Sequence, residues 1–178
     1  MYGANTVGRP CARDAIVRMI THLDDWGAAM PRVEFDISSG VSPDRFIAAL
    51  TDFSAARADI WPNIDAQHLK VHEVDTDSAD VTEGSSLAGG VWERNRYDWS
   101  APDTVRVETI ESNTWRPGSF WLYRVTPTNT GSHIHVTVDR RPATLKGRLI
   151  AVLLILGGRR VLRQATEQVL RKLEQSTG

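Results

Sequence analysis

One cysteine, Cys11, stands in 178 residues. That excludes an internal disulfide and a cysteine-only metal site, and it fits a reducing compartment. Long apolar runs are missing: Leu149–Leu156 (LIAVLLIL) is too short to span a bilayer. Met1–Gly8 lacks the apolar core of a signal peptide, so the expected location is the cytoplasm. There is no phosphate-binding glycine loop, no Gly-x-Ser-x-Gly elbow and no histidine paired in sequence with Cys11. The net charge of −1 provides no global attraction to nucleic acid. Internal repeats and low-complexity segments are also absent.

What is present is ordinary for a globular domain: 41% hydrophobic and 24% charged residues, in a chain long enough to bury a substantial core. The charge is unevenly placed. Residues 140–178 carry nine Lys/Arg against two Glu. This leaves two readings of the C-terminal segment: a solvated polar face, or a surface for a membrane or protein partner.

That segment, Thr144–Glu174, holds the longest helical period. Leu145, Leu149, Val152, Leu153 and Leu156 recur at helical spacing, and Leu162, Ala165, Val169 and Leu173 resume the stripe after Gly157-Gly158. A helix of about 30 residues would run roughly 45 Å. Its first half is apolar all round and is expected to be covered on more than one side. The two glycines are expected to bend or distort it.

Residues 1–11 have no period and are expected to be disordered, and Ala12–Trp26 to form a short helix bearing Ile16, Met19, Leu23 and Trp26. Residues 1–30 are read as an extension, leaving open whether 1–29 belong to the natural product, and 31–175 as the domain. Arg32–Ser38 alternates as a half-buried strand. Ser42-Pro43-Asp44 starts a helix, and Ala55–Ile60 forms another that stops at Trp61-Pro62. Six strands follow: His68–Val74, Asp80–Glu83, Val91–Trp99, Thr104–Asn113, Ser119–Thr126 and His133–Asp139. Turn residues separate them, which favours antiparallel hairpins.

The order strand, two short helices, about six strands, long helix resembles the START-like superfamily (SRPBCC-type), which includes polyketide cyclase/dehydrase-type proteins and plant allergen-type carriers. The resemblance runs from Arg32 to Glu174. It rests on Val33–Ile37 leading into SPDRFIAALTDF, on IWPNI, on VTEGSS and on the final helix. It implies an α+β helix-grip fold, in which a curved antiparallel sheet of 6–7 strands wraps around the C-terminal helix with a ligand pocket between them. The superfamily also holds enzymes and regulators, so the fold leaves activity open.

Strand alternation assigns the inward faces. Glu93, Asn95, Tyr97 and Trp99 share one, with Val105, Val107, Thr109 and Glu111 beside them. Trp121, Tyr123 and Val125 share the next, and Ile134, Val136 and Val138 the last. A slip or bulge near Gly89-Gly90 would exchange faces. Polar groups among aromatics suit either a ligand site or a network satisfying itself. The candidate ligand-binding set is therefore Trp61, Glu93, Asn95, Tyr97, Trp99, Thr109, Glu111, Trp121 and Tyr123, with Leu153 from the helix. Trp61 resembles the family's aromatic at the cavity mouth, or else lids the core; Trp115 closes the mouth or caps the core.

The leading functional expectation is a carrier of a small hydrophobic or aromatic, lipid- or polyketide-like ligand. The enzymatic alternative uses Glu93 or Glu111 as acid or base, with Tyr123 bonding a substrate carbonyl. No cofactor is expected. His68 with His72, and His133 with His135, share strand faces, but each pair lacks a third ligand, so no metal is expected. The expected oligomeric state is monomer or homodimer.

Overall fold

Arg32–Ser39 forms the first strand, β1, with Phe35 and Ile37 buried and Glu34, Asp36 and Ser38 turned out. A computed structural model describes residues 32–86 and 89–176. The expected disorder of 1–11, the helix over Ala12–Trp26 and Cys11 lie outside the described residues.

Pro43–Thr51 forms α1, entered from Ser42 in an extended conformation with Pro43 in the first turn. Phe46, Ala49 and Leu50 are its buried side. The short α2 (Arg57–Ile60) ends before Trp61-Pro62. A 3-10 turn over Ala66–His68 follows, so His68 does not share a strand face with His72.

The remaining strands are β2 (Lys70–Val74), β3 (Ser78–Ser85), β4 (Val91–Asp98), β5 (Thr104–Ser112), β6 (Phe120–Thr128) and β7 (Gly131–Asp139). They form one seven-stranded sheet in the order β1-β7-β6-β5-β4-β3-β2. Every neighbouring pair is antiparallel. Consecutive strands from β2 to β7 are hairpin neighbours, and β1 closes against β7.

The final helical segment has three parts: α3 (Leu145–Leu153), a π-helical turn at Leu154–Gly158, and α4 (Arg159–Gln175). The expected distortion thus falls at the two glycines, as one wide turn that advances the helix face. Thr144 caps α3 by accepting from the Gly147 amide. Helix α4 packs on β1 and buries Thr166, Val169, Leu170 and Leu173, and Glu174 accepts from Ser39 Oγ at 2.8 Å and the Gly40 amide at 3.2 Å.

The expectation that α3 is covered all round fails. Its buried residues are Gly147 and Ala151, followed by Gly158 in the π turn. A Cβ at Gly147 would collide with the Thr114 carbonyl oxygen. The helix therefore approaches the β5–β6 connection at Gly147, its buried side is made of its smallest residues, and the leucine stripe is rotated outward. Leu145, Leu149, Leu153 and Leu156 are 73%, 61%, 60% and 75% exposed. Leu153 accordingly does not line the inside.

Candidate functional site

The concave face of the sheet carries an ion pair that is fully buried, Arg57–Glu83, and one that is largely buried, Arg140–Glu93. The first joins α2 to β3 and β4. Arg57, 2% exposed, donates from Nε to Glu83, from Nη1 to the carbonyls of Leu50 and Asp52 at 3.0 Å each, and from Nη2 to Tyr97 Oη at 2.8 Å. Tyr97 in turn donates to Glu83 Oε2 at 2.6 Å. The guanidinium also lies over the rings of Phe53 (4.8 Å), Tyr97 (5.3 Å) and Trp61 (5.6 Å). Burial alone opposes the charge, but Tyr97 and Glu83 outweigh it and hold Arg57 more firmly protonated than usual. Burial raises Tyr97 well above the ordinary tyrosine value.

The second pair joins β4, β5 and the residue after β7. Arg140 Nη1 donates to Glu93 Oε2 at 2.6 Å and to Thr109 Oγ1 at 3.2 Å, while Thr109 Oγ1 donates to Glu93 Oε2 at 3.0 Å. The guanidinium lies between Trp115 (5.4 Å) and Trp121 (5.2 Å). Trp121 stacks on Tyr123 at 6.2 Å with planes 6° apart. Tyr123 meets Phe46 edge-on, and burial raises its hydroxyl's pKa above the ordinary range.

Between these pairs sits Asn95, flanked by Glu93 and Tyr97 on β4 and opposite Val81 and Thr109. It is 6% exposed, and its Oδ1 is buried with no hydrogen-bond partner among the described residues.

The structure thus brings Glu93, Asn95, Tyr97, Thr109, Trp121 and Tyr123 onto one face. Trp99 extends it, with its ring 6.3 Å from Phe53 and its indole N–H donating to the Thr76 carbonyl at 3.1 Å. Glu111 does not belong there. The β4–β5 register passes from Arg94↔Glu111 to Asn95↔Thr109, which leaves Ile110 as an extra residue on β5. This bulge turns Glu111 to the outer face beside Arg94, where it is exposed. A bulge does interrupt the alternation, but here rather than at Gly89-Gly90. Trp61 is buried in the core, 8% exposed, and donates to the Ala49 carbonyl at 3.2 Å. Trp115 is buried as well.

Arg57, Glu83 and Arg140 were not among the sequence candidates. Glu83 was legible from the alternation of Ala79, Val81 and Glu83 on β3. The two arginines sit outside strands, where alternation says nothing.

The outer face holds surface pairs. Asp80 receives a two-pronged bond from Arg94 at 2.8 and 2.7 Å. Asp36 Oδ1 lies 2.9 Å from His135 Nδ1 and 3.2 Å from His133 Nε2. Among the described residues no cluster of three or more His, Cys, Asp or Glu could hold a metal ion, and no helix is long and apolar enough to cross a membrane.

No family model and no curated protein matches this sequence. Solved structures do. The Zhui aromatase/cyclase from Streptomyces sp. R1128 is 16% identical, with a TM-score of 0.68 over 84% of this chain and 97% of that one. A START superfamily protein from Mycobacterium smegmatis is 11% identical, with a TM-score of 0.65 over 81% and 97%. The major latex-like protein 151 of Panax ginseng is 13% identical, with a TM-score of 0.57 over 80% and 97%. Identities this low carry the fold alone, and the fold is plain: this chain adopts the START-like helix-grip fold, a curved seven-stranded antiparallel sheet with a long C-terminal helix.

Proposed function

We propose that this protein binds a small hydrophobic or aromatic ligand against the concave face of its sheet. The observation that carries the reading is Asn95: a buried amide oxygen with no partner among the described residues, on the same sheet face as Tyr97, Trp121 and Tyr123, is a costly arrangement unless something else supplies the bond. Most of the binding energy would come from apolar burial, at about 25 cal/mol per Å² before ordering costs. The enzymatic alternative is less well supported. Glu111 lies on the outer face, and Glu93 is engaged by Arg140 and Thr109 rather than standing alone in an apolar wall.

Titration with an apolar fluorophore tests the reading. Because the exposed leucines offer a surface site, the titration is run on Leu149→Glu/Leu153→Glu as well as on the natural sequence. Saturable quenching of tryptophan emission in both is expected. Quenching that disappears with the surface leucines would remove the interior site.

One observation favours a second role for the helix. The exposed Leu145, Leu149, Leu153 and Leu156 lie just ahead of the exposed Arg159 and Arg160. An apolar row beside cations suits an anionic lipid surface. Co-sedimentation with vesicles containing phosphatidylserine, but not with neutral ones, and its loss in Arg159→Glu/Arg160→Glu, is the expected result. Equal recovery with both vesicle types would dispose of this role.

A further inference from the structure

The concave face also says what kind of polar group a ligand there carries. We infer that Asn95 anchors an uncharged hydroxyl on an aromatic ligand, and that the site rejects carboxylates. This rests on the ligand-binding reading above.

The argument starts from the two arginines. In an apolar site a guanidinium is the natural receptor for an acid. Here both are already neutralised: Arg57 by Glu83, with Tyr97 and two carbonyls taking further donors, and Arg140 by Glu93. A ligand carboxylate would arrive beside Glu83 and Glu93, which stand opposite one another across β3 and β4. It would be a third negative charge among two arginines, desolvated and in excess.

Asn95 makes the complementary demand. Its described neighbours do not satisfy it: Thr109 directs its hydroxyl to Glu93, Tyr97 directs its own to Glu83, and Val81 offers none. The buried Oδ1 requires a donor, which hydrocarbons, ethers and carboxylates lack. A hydroxyl both donates and accepts, so it meets the amide whichever of its ends is presented. The rings of Trp121 and Tyr123, stacked in parallel, and of Trp99 suit a flat ligand body.

Three probes with one ring system separate the possibilities: naphthol, methoxynaphthalene and naphthoate, titrated by calorimetry at neutral pH into the full chain and into Asn95→Leu. The natural sequence is expected to bind naphthol about tenfold more tightly than methoxynaphthalene, and naphthoate more weakly than either. Asn95→Leu should abolish the preference for naphthol while leaving methoxynaphthalene within a few-fold. Naphthoate binding as tightly as naphthol, or a naphthol preference that survives Asn95→Leu, overturns the inference. Equal binding of all three removes the hydroxyl anchor but leaves the ligand site standing. Binding of none removes both. The comparison among probes on the natural sequence decides the matter even if the variant does not fold.

Discussion

Glu83 and Glu93 face each other across the β3–β4 pair, and each is held by an arginine from outside the two strands. Two carboxylates at directly opposed positions on a buried face would repel if left alone. Arg57 and Arg140 make the arrangement stable, and in doing so they join α2 to β3 and β4, and the residue after β7 to β4 and β5.

Removing one partner should therefore cost more than removing both. Arg57→Met leaves Glu83 as an uncompensated buried charge and is expected to lower stability by about 3–5 kcal/mol. Arg57→Met/Glu83→Gln should recover a large part of that. Denaturant midpoints for the single and double variants measure it, and a double variant no better than Arg57→Met would show that the arginine acts through packing.

The buried tyrosines set an alkaline limit. Burial raises the pKa of both Tyr97 and Tyr123 in the folded state. A raised pKa means stability fully present below the unfolded value of about 10 and lost as pH rises above it. Tyrosinate absorbance from these two residues should thus appear together with unfolding. Smooth titration near pH 10 in the folded protein would contradict their burial.

The acid side has a smaller counterpart at the sheet surface. Hydrogen bonding from Arg94 holds Asp80 below the ordinary carboxylate value. A depressed pKa contributes stability above the unfolded value of about 3.9, lost as pH falls through the folded one. Because Arg94 is substantially exposed, Asp80→Asn is expected to cost only about 0.2–1 kcal/mol at neutral pH. Stability curves against pH should show the two proteins converging in acid.

The glycines of the C-terminal segment should behave differently from one another. A Cβ at Gly157 meets nothing within 4 Å, whereas at Gly158 it would lie 2.9 Å from Leu154 Cδ2 and 3.0 Å from Leu154 Cβ. Gly157→Ala is expected to stabilise by up to about 1 kcal/mol, and Gly158→Ala to yield less or to destabilise. Gly147→Ala, set against the Thr114 carbonyl, is expected to cost about 1–3 kcal/mol. Thermal melts of the three variants rank them.

The outward leucines should be nearly neutral for folding. Leu149→Ser and Leu156→Ser are each expected to change stability by less than about 0.5 kcal/mol, while Leu173→Ser, in the buried face of α4, should destabilise strongly. Equal losses at all three positions would mean that the stripe is covered.

What the sequence determined alone is what depends on neighbours along the chain. Alternation every second residue fixes which side of β4, β6 and β7 faces in, because successive side chains leave a strand on opposite faces. Ser42-Pro43 starts α1, Pro62 ends the region of α2, and the glycine pair distorts the final helix, all through local backbone restrictions. The tertiary structure decided what depends on a partner elsewhere. Glu111 left the concave face because β5 carries one residue more than β4 at Ile110, which no pattern within β5 announces. The leucine stripe of α3 faced outward because the helix buries Gly147 and Ala151 instead, with Gly147 set directly against the Thr114 carbonyl, so close approach outweighed apolar area. Arg57 and Arg140 became buried because their carboxylates stand 26 and 47 residues away in the chain. A buried charge is legible only once its counter-charge has been placed, and folding alone places it.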